Sequence, residues 1–173
     1  PPAAVCNGVA GLCALPVSRA VWLGTHNSLA IYSELACPLR RQFSNQAAPV
    51  LAQLAAGARA LNIDAGFKQG RVVFEHGLCV NTKTLPRGLF DDLGAWLATN
   101  PSETLLLHFD DNSEKDDPAS AARMRAWVEG EVAASALGPR TFEGRVTSDT
   151  TMADVRGRAV VVFDAGQWGG GGD

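Results

Sequence analysis

The sequence predicts an α/β fold built around a mostly parallel sheet. Two observations carry this. Short apolar runs of strand length alternate with longer segments whose apolar residues recur at helical spacing. Strands separated by helices are joined in parallel, with helices covering the sheet. The length of 173 residues suits one domain able to bury a core, and 46% apolar and 19% charged residues are ordinary for a globular chain.

The elements follow in order. "AVWLGTH", residues 20–26, reads as a buried strand. "QAAPVLAQLAAGAR" has helical spacing, and Gly57 stands where a helix C-cap would. "ALNID" and "RVVFEH" are strand-like runs. "LPRGLFDDLGAWLATN" is an amphipathic helix with Leu89, Leu93, Trp96 and Leu97 on one face. Pro101 and Ser102 break it, and Glu103 leads into a strand, "PSETLLLHFDD". "PASAARMRAWVEGEVAASAL" is the third helix and "VRGRAVVVFDAG" the last strand. "DDNSEKDD", residues 110–117, reads as a charged surface loop. The terminal "GGGG" makes 169–173 a flexible tail or linker.

Charge excludes some partners. The net charge is −3, and Lys and Arg are scattered, so no nucleic-acid footprint is expected. No apolar stretch approaches the ~20 residues of a membrane span. Pro1 opens the chain without a basic or apolar leader, as a mature or trimmed chain would.

Four cysteines, Cys6, Cys13, Cys37 and Cys79, form no CxxC pair and no zinc-ligand spacing with a histidine. An even count fits two disulfides and an oxidising compartment. Three pairings are possible. Cys6–Cys13 is preferred because "CNGVAGLC" closes a small loop, and Cys37–Cys79 would follow. The competing expectation is four buried thiols in a reducing compartment.

The polar residues at strand ends point to a site. The first strand ends at His26 and Asn27, the second carries Asn62 and Asp64, and the third ends at Glu75 and His76. The fourth carries Asp110 and Asp111, and the last ends at Asp164. In a parallel barrel or open sheet, carboxyl strand ends share one rim, where active sites are built. Period-2 alternation puts Asn62 with Asp64 on one side and Leu61 with Ile63 on the other. Asp110 shares its side with His108 and Leu106, opposite Leu105, Leu107 and Phe109. Asn62, Asp64 and Asp110 are thus expected to converge as oxygen donors.

Each residue also has a structural reading. His26 could cap its strand, Asn27 could N-cap the next segment, and His76 could be a loop histidine. Asp64 could pair with Arg59 or Arg71. Asp110 and Asp111 compete for the inward position, because a one-residue slip exchanges them. His108 reads as a hydrogen-bonded core histidine. Trp168 lines a pocket or packs, and Tyr32 and Trp22 read as structural.

With these segments in view, the chain resembles the catalytic X region of phosphoinositide-specific phospholipases C, and more closely the secreted PLC-like phosphodiesterases. "GTHNS", "QLAAGARALNID", "VVFEHG", "NPSETLLLHFDD" and "TMADVRGRAVVVFD" carry the resemblance, and "CNGVAGLC" is similar to the N-terminus of secreted members. The resemblance covers nearly the whole chain. It implies a TIM-type (β/α) barrel over residues 1–168, incomplete because only about the first five strands are present where such barrels take ~250 residues.

The resemblance also implies a chemistry. His26 would be the general base and His76 the general acid in cleavage of a phosphodiester, since imidazole titrates near neutral pH. Asn27, Asn62, Asp64 and Asp110 would hold a metal ion, calcium or alternatively magnesium. Asn62 stands where an acidic residue is usual, which should weaken the affinity. Calcium-independent bacterial members have an arginine where this chain has Asp64.

The expected substrate is a phospholipid or inositol phosphodiester, met through peripheral membrane contact, by a hydrolase of lipid metabolism outside the cell or in the secretory pathway. The alternative is a catalytically inactive PLC-like domain serving extracellular assembly or adhesion. A third possibility is a glycerophosphodiesterase or sphingomyelinase-D-like activity. An open barrel would leave a bare strand edge, so a protein partner or further chain is expected to cover it.

Overall fold

The computed structural model describes residues 4–68, 71–111 and 118–163, with the side chains of 67, 68, 111 and 118–121 excepted. Asp164, Trp168, the 112–117 part of the charged loop and the glycine tail lie outside the described residues.

A two-stranded hairpin, β1 (Val5–Cys6) and β2 (Val9–Ala10), opens the chain. The main sheet comprises β3 (Gly24–Thr25), β4 (Leu35–Ala36), β5 (Ala60–Lys68), β6 (Arg71–His76), β7 (Cys79–Asn81), β8 (Leu105–Asp111) and β9 (Ala159–Phe163). The helices are α1 (Arg40–Phe43), α2 (Val50–Ala55), α3 (Pro86–Thr99) and α4 (Pro118–Ala133). β3, β5, β8 and β9 run parallel, side by side, as one arc of a barrel wall.

The arc buries its outer face under the helices. Leu61 and Ile63 of β5 and Leu105, Leu107 and Phe109 of β8 pack with Leu89, Phe90, Leu93 and Leu97 of α3 and Met124, Val128 and Val132 of α4. This is the alternation expected from the sequence. α3 begins at Pro86, which suits a first-turn position where no amide partner is required. Gly94 lets α3 lie against the chain at Ala136: a Cβ there would sit 2.3 Å from the Ala136 carbonyl carbon. Gly94→Ala is therefore expected to destabilise the fold by about 1–3 kcal/mol, read as a lowered denaturant midpoint with an unchanged slope.

The other face of the arc is filled differently at its two ends. At the amino ends of the strands, Cys6, Cys13 and Val17 form a plug with Met152, Val155 and Val160, against which Leu106 packs. Cys6 and Cys13 are bonded to each other, and Asn7 accepts a hydrogen bond from the Thr104 amide at 2.6 Å, pinning the plug to the start of β8. Cys37 and Cys79 form the second disulfide. Both expected pairings are present.

Two elements differ from expectation. The "AVWLGTH" run is not a buried strand: only Gly24–Thr25 pair, with β5, while Val21 is 95% and Leu23 61% exposed. β3 lies at one end of the parallel arc, and among the described residues no second strand pairs with it. "RVVFEH" forms a strand, but it runs antiparallel to β5, with Lys68 opposite Arg71. The reason is covalent. Two residues separate these strands, and a parallel return needs a crossover of a dozen or more. β5 outgrows the arc, and β6 and β7 continue from it as an antiparallel ribbon above the rim.

At the opposite end of the arc, β9 bonds to Thr141–Phe142 only at its first residue, Ala159. Beyond that, among the described residues, no strand pairs with the outer side of β9. No helix among the described residues is long and apolar enough to cross a membrane.

Candidate functional site

The site lies where β3 ends, where β5 and β8 carry polar residues inward, and where the β6–β7 ribbon turns. The register fixes part of it: Asn62 pairs with His108 and Asp64 with Asp110 across the parallel β5–β8 ladder. All four side chains belong to the face turned away from the helices.

Asn27 is the hub. It is buried, and it is one of two non-glycine residues with positive φ among the described residues, at 46°. Such a backbone is uncommon outside glycine and clusters at functional sites. It is held by Asn62, whose Oδ1 accepts the Asn27 amide proton at 3.0 Å and whose carbonyl accepts from Ser28 at 2.7 Å.

Hydrogen-bond logic orients the Asn27 side-chain amide. Its nitrogen faces Asp64 Oδ1 and Oδ2 at 3.1 and 3.2 Å and Asn62 Oδ1 at 3.0 Å; its oxygen lies 2.8 Å from His76 Nε2 and 3.2 Å from His26 Nε2. The two imidazoles, 50 positions apart in the chain, thus meet at one atom.

The remaining contacts anchor these groups. His76 Nδ1 donates to the Phe43 carbonyl at 2.7 Å. Gln46 Nε2 donates to the His26 carbonyl at 2.7 Å, and the Asn45 amide lies 3.1 Å from that of Asn27. Asn62 Nδ2 donates to Asp110 Oδ2. His26 is exposed and His76 half-buried.

Every residue expected at the site is brought together: His26, Asn27, Asn62, Asp64, His76 and Asp110. Several competing readings end here. Asn27 caps no helix. Arg59 pairs with Glu103 at 2.7 Å and stacks over Trp96, so it does not serve Asp64. Asp110 is the inward residue of its pair, through its bond to Asn62. His108 is not a core histidine: its side chain is 39% exposed, with Nδ1 3.6 Å from Asp110 Oδ1.

Sequence reading missed Phe43, Asn45 and Gln46. They lie in an irregular stretch, where no periodicity marks which side chains face inward. Tyr32, taken as structural, is 45% exposed and lines a shallow hollow with Asn45 and Gln46. The more apolar hollows lie elsewhere, one of them between α4 and β9.

The donor set can be tested against a cation. Among the described residues no group of three or more His, Cys, Asp or Glu side chains is placed to hold a metal ion. The site offers two carboxylates, Asp64 and Asp110, beside two amides. Turned over, the Asn27 amide would present its oxygen 3.0–3.2 Å from those of Asn62 and Asp64. Clustered carboxylate and amide oxygens suit a hard divalent cation. Asn27, Asn62, Asp64 and Asp110 are donors of that chemical kind, with less negative charge than three carboxylates would supply.

Asn27 allows a direct test of the hub. Asn27→Gly keeps the positive φ available, whereas Asn27→Ala does not, so the alanine variant is expected to be less stable by about 1–2 kcal/mol. Comparing thermal midpoints checks this, and a difference of zero would mean the loop relaxes.

A parallel barrel arc with a polar cluster at its carboxyl rim is like the fold of solved phosphatidylinositol-specific phospholipases C. No family model matches the sequence, and no curated protein matches it. The likeness is structural. The phosphatidylinositol-specific phospholipase C from Listeria monocytogenes superposes with a TM-score of 0.62 at 17% identity, over 95% of this chain and 54% of that one. The F249X mutant of the enzyme from Staphylococcus aureus gives 0.70 at 17% identity, over 88% and 50%. PLC21 of L. pealei gives 0.60 at 13% identity, over 91% of this chain and 19% of that one. This chain therefore spans about half the length of the bacterial proteins it matches, an incomplete barrel by comparison.

Proposed function

We propose that the chain carries the catalytic half-site of a phosphoric diester hydrolase of the phospholipase C type. The observation that carries this is the meeting of His26 Nε2 and His76 Nε2 at Asn27, beside Asp64 and Asp110. Two titratable nitrogens around one small polar cleft suit a displacement at phosphorus that needs a base on one side and an acid on the other.

His26 Nε2 takes the proton from a substrate hydroxyl, such as the 2-hydroxyl of inositol. That oxygen attacks phosphorus in line, and the bond from phosphorus to the glycerol oxygen breaks. His76 Nε2 gives its proton to the departing oxygen. His76 is oriented for this by donating Nδ1–H to Phe43, which leaves Nε2 facing the site. A divalent cation, calcium or magnesium, held by Asn27, Asn62, Asp64 and Asp110 would neutralise charge building on the phosphate oxygens.

The surroundings suit a lipid substrate reached at a bilayer surface. Leu78 is 73% and Leu39 43% exposed, on the two loops joined by Cys37–Cys79, with Arg40 and Arg41 exposed beside them. Apolar and basic side chains together favour anionic membrane surfaces. Two disulfides fit an oxidising compartment, and the reading extends to a secreted protein.

A second reading has its own support. Exposed Val21 and Leu23 at one end of the arc and the unpaired side of β9 at the other suit a domain that assembles with a partner or further chain and catalyses nothing. Release of inositol phosphate from phosphatidylinositol vesicles, with calcium, magnesium or chelator, separates the two. Cleavage supports the hydrolase, and a chain inert under all three conditions leaves the assembly domain.

A further inference from the structure

The proposed chemistry leaves one feature unused: a four-residue helix, α1, whose last carbonyl points at His76. The Phe43 oxygen lies 2.7 Å from His76 Nδ1, and the Phe43 ring meets the imidazole edge-on at 5.9 Å. A carbonyl oxygen can only accept, so Nδ1 carries the hydrogen.

A single helical turn does not hold its own shape, and α1 buries none of its residues. Two devices fix it. Cys37, three positions before α1, is bonded to Cys79, three positions after His76, and Cys79 is fully buried. Gly77 makes room for the aromatic ring: a Cβ there would lie 2.3 Å from a Phe43 ring carbon, and Gly77 has φ 57°.

We propose that residues 37–43, clasped by the Cys37–Cys79 disulfide, are a positioning element for His76. Through the Phe43 carbonyl they hold the ring proton on Nδ1 and keep Nε2 facing Asn27. An unrestrained neutral histidine in water favours the opposite tautomer, with its proton on Nε2. Releasing the clasp lets that preference return. The importance of Nε2 rests on the acid–base reading above; the tautomer itself does not.

The test is long-range proton–nitrogen NMR of the imidazoles in the full chain, well above the ordinary titration range of histidine. The chain has three histidines, so a His76→Asn spectrum assigns the signal. The native chain is expected to show His76 protonated at Nδ1. Cys37→Ser/Cys79→Ser is expected to give a tautomer mixture, with kcat for phosphodiester cleavage lowered roughly 10–100-fold and KM changed far less. If the double variant loses its dispersed methyl signals, Gly77→Ala carries the test with both disulfides intact, by displacing Phe43, and the same tautomer mixture is expected. A native His76 protonated at Nε2, or a folded variant with an unchanged tautomer, overturns the proposal. A chain that cleaves no phosphodiester yet shows the tautomer change retains the positioning element and loses only the hydrolase reading.

Discussion

Replacing either His26 or His76 by alanine is expected to lower phosphodiester cleavage by about 10²–10⁴-fold, the usual worth of a positioned general acid or base. The double variant should fall little further, because the two groups act within one displacement and their losses do not add. Stability should respond differently at the two positions. His26 is exposed, so its loss should stay within about 0.5 kcal/mol. His76 is half-buried and bonded through both ring nitrogens, so its loss should cost about 1–2 kcal/mol. Release of soluble phosphate ester beside a thermal melt reads both. A chain that cleaves substrate equally well without either imidazole would remove the acid–base reading altogether.

Changing Asn62 to aspartate should strengthen calcium binding by at least roughly tenfold, or about 1.4 kcal/mol, because it adds a third carboxylate to the cluster. The same change should weaken the metal-free protein. Asn62 Nδ2 donates to Asp110, while Asn62 Oδ1 accepts from the Asn27 backbone. An aspartate keeps the second bond and turns the first into two carboxylates face to face. The expected cost without metal is about 1–3 kcal/mol. Titration calorimetry and chemical unfolding, each with calcium and with chelator, check the two halves. If Asn62→Asp is neither tighter for calcium nor less stable without it, the oxygen cluster is not a cation site.

This pair of effects gives the amide at position 62 a physical sense. A third carboxylate needs a cation to offset repulsion, whereas an amide bridges Asp110 and Asn27 by hydrogen bonds alone. The site is held together by its own side chains.

Much of this was legible in the residues themselves. The alternation of Leu61, Ile63, Leu105, Leu107 and Phe109 with Asn62, Asp64, His108 and Asp110 assigns a helix-covered face and a polar face, because successive side chains on a strand must point to opposite sides. Helix α3 was equally plain, since Leu89, Leu93 and Leu97 repeat at a helical period. The direction of β6 was implied there but not read: even the six residues between "ALNID" and "RVVFEH" are too few for a parallel crossover. Local rules misled at Val21 and Leu23, where an apolar run suggested burial. Burial depends on a neighbour, and the sequence of one strand does not say which neighbour is present.

The sequence by itself determined which faces of β5, β8 and α3 are apolar and which polar residues close the strands, because these follow from periodicity along the chain; it preferred Cys6–Cys13 among three possible pairings. Only the tertiary structure decided that Asn27 lies between His26 and His76, that Asp110 answers Asn62, and that Phe43 reaches His76. Apart from the neighbours His26 and Asn27, those contacts join residues 33 to 49 positions apart, and their geometry is set by strand register and by a disulfide-held loop. Neither leaves a periodic trace in the order of amino acids.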